Sequence, residues 1–165
     1  MKYILAPFSN MQAKLWNIQK YNVIINSLFN EFNLSPIIIC SKNEYDYALN
    51  NNLFLDNKIE FIFGNKDFNL IFSKVKNSLF YLGNDTGIMH VAAYFNIPIF
   101  AIFSSRDLLG KWEPDNNNVI IYRNNVDCAG CLYNICPYNN LCIDKTTSAD
   151  VYTNIKLFLL KNSIN

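Results

Sequence analysis

The chain has 165 residues, 51% of them apolar by type, with a formal net charge of +1. That is enough chain for one well-buried core, and the charge gives no electrostatic case for a nucleic-acid partner. No apolar stretch approaches the roughly 20 residues that span a bilayer, and Met1-Lys2-Tyr3-Ile4-Leu5-Ala6-Pro7 is too short in its apolar part for a secretory signal; a cytoplasmic location is expected.

Strand and helix patterns alternate along the chain. Tyr3 to Ala6 reads as a first buried strand and Phe8 to Gln12 as a polar loop. Tyr21 to Phe32 places Val23, Ile24, Leu28 and Phe32 at a helical period. Pro36 to Cys40 is a second strand with Cys40 as a small core residue, followed by a helix from Asn43 to Leu49 with Asn43 as cap. Ile59 to Phe63 and Leu79 to Leu82 read as the third and fourth strands, around a helix from Asp67 to Val75. A helix over Met89 to Phe95, a strand over Ile97 to Phe103 and another over Val119 to Tyr122 come next. A cysteine-rich loop leads to a closing helix, with Ser148 as cap and Val151, Ile155, Phe158 and Leu159 turned inward. The alternation predicts an α/β fold, a Rossmann-like doubly wound parallel sheet of about six strands in one domain over 1–165.

Gly83-Asn84-Asp85-Thr86-Gly87-Ile88-Met89-His90 lies at the predicted turn between the fourth strand and its helix, where ligands gather in such folds. Helix-opening N–H groups have no partner within the helix and point toward a bound anion. Thr86 can cap the helix, Gly87 lets a ligand approach the backbone, and His90 lies one turn in with its ring aimed at the same crevice. With strand order 3-2-1-4-5-6, the loop after the first strand faces this turn, and Lys14 can reach a phosphate held there. No Gly-x-Gly-x-x-Gly follows the first strand, which counts against a dinucleotide cofactor.

Asp85-Thr86-Gly87-x-x-His90, Ala92-Ala93, Ile97-Pro98-Ile99 and Phe103 together resemble the signature of glycosyltransferase family 9, which contains the ADP-heptose:lipopolysaccharide heptosyltransferases. Pro7-x-Ser9 followed by Lys14-x-Trp16 resembles the opening of that family's second domain. The resemblance implies the C-terminal, donor-binding half of a GT-B enzyme. It implies donor and phosphate contacts from Ser9, Lys14, Asp85, Thr86, Gly87 and His90, and Glu44 on the nucleotide ribose. No divalent cofactor is required for transfer on this reading, and the acceptor site and general base belong to an N-terminal half, so no catalytic residue is assigned here. It further implies inverting transfer to a lipopolysaccharide-type acceptor, at the inner face of the cytoplasmic membrane through that partner half. Phe8 stands where the family has a small residue. Ser104-Ser105-Arg106 replaces a Gly-Pro-Thr type turn, leaving Arg106 as either an added phosphate contact or, like Lys111, a surface charge. Trp16 and Trp112 read as packing residues rather than sugar platforms.

Cys128, Cys131, Cys136 and Cys142 follow a Cys-x2-Cys-x4-Cys-x5-Cys spacing that recurs in many members of the same family. The spacing admits a structural zinc or iron site, free thiols or disulfides, none with a part in catalysis. A non-catalytic partner subunit, a truncated relic and a metal-stapled module for another phosphorylated ligand are the competing readings.

Overall fold

Along β1 (Lys2–Ala6) side chains alternate between two buried faces. Tyr3 and Leu5 enter one core layer while Ile4 and Ala6 enter the other, the pattern of a strand covered by helices on both sides. A 3-10 turn at Gln12–Lys14 leads into α1 (Ile18–Phe32); then come β2 (Ser35–Cys40), α2 (Lys42–Asn50), β3 (Glu60–Phe63), α3 (Phe68–Lys76) and β4 (Tyr81–Asn84). After these lie α4 (Gly87–Tyr94), β5 (Ile99–Ile102), β6 (Val119–Tyr122), α5 (Leu141–Asp144) and α6 (Ser148–Ser163). This computed structural model describes residues 1–54, 58–64 and 67–163.

The six strands form one parallel sheet ordered β3-β2-β1-β4-β5-β6, with Leu5 registered against both Ile38 and Leu82, and Ala6 against Gly83. On one face α1 packs Tyr21, Ile24 and Leu28, and α6 packs Val151, Ile155 and Leu159, against Tyr3, Leu5, Phe80 and Phe100. On the other, Ile71 and Val75 of α3 and Met89 and Ala92 of α4 cover Ile4, Ile37, Tyr81 and Ile99. The predicted parallel sheet is the observed one, and its strand order is the common doubly wound order on which the crevice is placed. Cys40 is a buried core residue, and Trp16 is 2% exposed, its ring edge-on to Tyr21 and its Nε1–H donated to the Thr146 carbonyl.

Several boundaries differ from the sequence reading. Asn17, not a residue near Tyr21, opens α1 by accepting from the Gln19 N–H. Ser41 caps α2 in a reciprocal box with Glu44, so Asn43 lies inside the helix. Thr147 rather than Ser148 caps α6: its Oγ1 accepts from the Asp150 N–H. The fourth strand pairs over Tyr81–Asn84 instead of Leu79–Leu82, because strand pairing continues beyond the apolar run into Gly83 and Asn84. Trp112, read as a packing residue, is half exposed at a left-handed φ of 65°.

Candidate functional site

The order of the sheet reverses between β1 and β4, and the loops leaving their carboxyl ends open a crevice. Close contact between the two strands sets its floor. A Cβ on Gly83 would come 2.5 Å from the Ala6 carbonyl oxygen, so only glycine lets the strands run side by side there. The next residue, Asn84, is fully buried. It donates Nδ2–H to the Pro7 carbonyl (2.8 Å), accepts the Tyr21 hydroxyl on Oδ1 (2.8 Å), and its own carbonyl accepts the Tyr81 hydroxyl (2.6 Å). Burial pushes the Tyr21 and Tyr81 phenols well up, which keeps both as neutral hydrogen-bonding groups. Tyr81 also reaches Thr86 Oγ1 at 3.2 Å. Thr86 occupies the cap position of α4 but makes no side-chain capping bond, so its hydroxyl is held by Tyr81 from beneath.

Across the crevice, the 3-10 turn directs Lys14 inward. Its Nζ lies 2.5 Å from Asp85 Oδ2 and 3.4 Å from Asp107 Oδ2, with all three side chains at least 89% covered. The space above them, about 380 Å³, is lined by Ser9, Lys14, Glu44, Asp85, Thr86 and Gly87 among others. Six of the seven residues expected to meet a donor therefore border one cavity. The seventh, His90, is exposed on α4 and is not among the lining residues. Ser9 Oγ accepts the Met11 N–H and so shapes the loop. Glu44 Oε2 accepts the Ser41 N–H at 2.7 Å, which fixes its carboxylate at the mouth of α2.

Arg106 is neither a crevice residue nor a surface charge. Its side chain is 9% exposed and grips Asp107 through Nη1 at 3.0 and 2.9 Å. Nε and Nη2 donate to the carbonyls of Tyr133 and Leu132, each at 2.7 Å. The guanidinium does not line the crevice and binds the cysteine-rich loop to the end of β5. Nothing in the sequence singled out Asp107, Tyr81 or Tyr21. The available signal was positional: the β5 loop must lie beside the β4 loop at the reversal point.

The described cysteines are free thiols. Burial, and then the thiols of Cys131, Cys142 and Cys136, push Cys128 above the ordinary thiol range. Among the described residues, however, no group of three or more His, Cys, Asp or Glu is arranged to hold a metal ion. A second, larger cavity of about 580 Å³ lies beyond Phe8 and Glu44, bordered by Trp16, Tyr47 and Asn140. No lysine or arginine lines it among the described residues, whereas Lys14 lines the smaller crevice.

The profile of glycosyltransferase family 9 (heptosyltransferase) matches residues 1–142. The chain belongs to this family. Solved heptosyltransferase and glycosyltransferase structures share its fold at low identity. ADP-heptose lipopolysaccharide heptosyltransferase II of E. coli superposes with a TM-score of 0.75 at 16% identity, over 98% of this chain and 47% of that one. E. coli heptosyltransferase WaaC with ADP gives 0.69 at 13%, over 97% and 44%. The iron-containing dodecameric glycosyltransferase TibC of enterotoxigenic E. coli gives 0.70 at 17%, over 99% and 48%. The chain thus spans about half the length of these structures. No curated protein sequence matches it. No helix among the described residues is long and apolar enough to cross a membrane.

Proposed function

We propose that residues 1–165 form the donor-binding half of a glycosyltransferase that takes a nucleoside-diphosphate sugar, ADP-heptose foremost, for inverting transfer to a lipopolysaccharide-type acceptor. The observation that carries this reading is the meeting of Lys14 with the Asp85-Thr86-Gly87 turn in one crevice at the sheet reversal of a family-9 chain. The diphosphate would lie on the opening N–H groups of α4 and the Lys14 ammonium, with Glu44 on the ribose and Asp85 and Thr86 at the transferred sugar. As the sugar–phosphate bond breaks, charge builds on the departing diphosphate. The fixed ammonium and helix terminus then bind it more strongly than they bind the ground state, which is what accelerates transfer. No side chain of this chain is assigned as the base.

The acceptor and the base would come from an N-terminal partner half, which would also bring the chain to the cytoplasmic face of a membrane. Exposed Leu108 and Leu109, on the loop beyond the carboxyl end of β5, support such a partner. A structural zinc or iron at Cys128, Cys131, Cys136 and Cys142 is a separate part of the proposal. It is supported by the spacing of the four cysteines in sequence and by the similarity of the fold to TibC, an iron-containing glycosyltransferase. The described geometry supplies no such ligand set, and no step of transfer passes through the loop.

Calorimetric titration with ADP, UDP, GDP, ADP-heptose and inorganic pyrophosphate tests the donor site. Saturable binding of one nucleotide, abolished in Lys14→Ala and weakened in Glu44→Gln for the nucleotide but not for pyrophosphate, is expected. A folded chain that binds none of these ligands would refute the reading.

A further inference from the structure

The geometry points to Asp107 as a positioning residue that restrains the anion affinity of Lys14, an inference that rests on the donor-site reading above. Lys14 is shared between two carboxylates of different standing. Asp85, at 2.5 Å, borders the crevice and can itself meet a ligand. Asp107, at 3.4 Å, does not border the crevice.

Asp107 cannot turn away. Arg106 holds both of its carboxylate oxygens, and Arg106 is itself fixed by the Tyr133 and Leu132 carbonyls. The chain Arg106–Asp107–Lys14–Asp85 therefore contains two cations and two anions, each side chain at most 11% exposed. Its formal charge is zero, and Glu44 adds a further carboxylate at the crevice wall. An arriving diphosphate meets a lysine whose charge is already matched, and the guanidinium that would restore a positive balance is turned toward the cysteine-rich loop. Only the α4 terminus and whatever share of Lys14 the ligand can draw from Asp85 remain to hold it.

The consequence for turnover follows from charge. A nucleoside diphosphate leaving group carries more negative charge than the intact donor, so it feels the buried Asp107 carboxylate more strongly. Asp107 thus weakens product binding more than donor binding and favours release. It touches neither ligand; its influence passes through Lys14 and through the low-dielectric space between them.

The test is Asp107→Asn, nearly isosteric and still able to accept from Arg106. Removing the buried charge that lies 3.4 Å from the Lys14 ammonium should tighten ADP binding about tenfold by calorimetry, and tighten pyrophosphate at least as much. A residue that only supported the fold would give the opposite sign or no change. The dependence of ADP affinity on salt is a second readout, measurable on the unaltered protein if the variant does not fold. A matched cluster predicts a shallow dependence in wild type, and a steep one would overturn the inference. Equal or weaker ADP binding by folded Asp107→Asn, with wild-type binding intact, would also overturn it while leaving the donor site standing. Absence of ADP and pyrophosphate binding in both proteins would remove the donor site itself.

Discussion

Two glycines of the signature segment, four residues apart, have opposite duties. Gly83 is needed by the fold: a methyl group there would sit 2.5 Å from the Ala6 carbonyl oxygen and 2.8 Å from the Tyr81 hydroxyl. The first contact is with backbone in a paired strand, which cannot retreat without prying β1 from β4. Gly83→Ala should therefore cost about 1–3 kcal/mol of stability, read by urea unfolding. At Gly87 an added Cβ meets nothing within 4 Å and the backbone is ordinary helix. Gly87→Ala should unfold like wild type and yet weaken ADP binding about tenfold, because the methyl enters the space a phosphate needs. Unchanged affinity in that variant would mean that no ligand comes close to the α4 backbone. Gly87 was legible as a site residue in the sequence, since a strand, a polar triplet and a helix mark the turn. Gly83's duty was not, because it depends on the carbonyl of a strand far away in the chain.

At the scale of elements, the sheet edge carries its own acid sensitivity. Glu60 of β3 accepts from Lys2 of β1 at 2.5 Å and from Lys74 of α3 at 2.6 Å. These hydrogen bonds, Lys2 first and then Lys74, hold its carboxyl below its ordinary value of 4.5. A carboxylate depressed in the folded state stabilises that state above its unfolded value, and the contribution fades as pH falls through the folded one. Glu60→Gln should thus be less stable than wild type by about 0.5–1 kcal/mol at neutral pH, and the gap should close as pH falls below the ordinary value of 4.5 and through the lowered one, as urea midpoints would show. A gap independent of pH would mean that Glu60 contributes by packing alone. Element identity was readable because apolar period separates the buried strands from the half-covered helices. Element ends were less so, for reasons visible in particular residues. Ser41 and Glu44 form the box that starts α2, and this reciprocal pair outcompetes the nearer Asn43. Asn84 extends β4 because Tyr21, Tyr81 and the Pro7 carbonyl satisfy its polar groups, a set of partners that no local propensity contains.

In the molecule as a whole, the crevice and the cysteine-rich loop are mechanically one assembly. The crevice lies where the common strand order of the doubly wound sheet reverses, and that sheet follows from the alternation of elements and the right-handed crossover rule. The route of the loop does not, since its spacing says only that four thiols lie near one another in sequence. Its position comes from long-range polar contacts: Gly130 N–H to the Ser105 carbonyl at 2.8 Å, Ala13 N–H to the Asn134 carbonyl at 3.0 Å, Cys136 N–H to Gln12 Oε1 at 2.8 Å, and the Arg106 fork. Arg106 joins this loop to the charge chain that runs through Lys14 to Asp85. Arg106→Ala removes the fork and leaves Asp107 buried with Lys14 as its remaining cation, at a cost of about 3 kcal/mol. Two signals should change together. Hydrogen exchange should accelerate across residues 130–136, where the loop loses its anchor. ADP should bind more weakly, because Asp107 then competes for Lys14 without a second partner. That sign is opposite to the one expected for Asp107→Asn, and a shared sign would show that the two residues act only through the stability of the fold. Faster exchange with unchanged ADP affinity would separate loop from crevice and confine Arg106 to holding the loop.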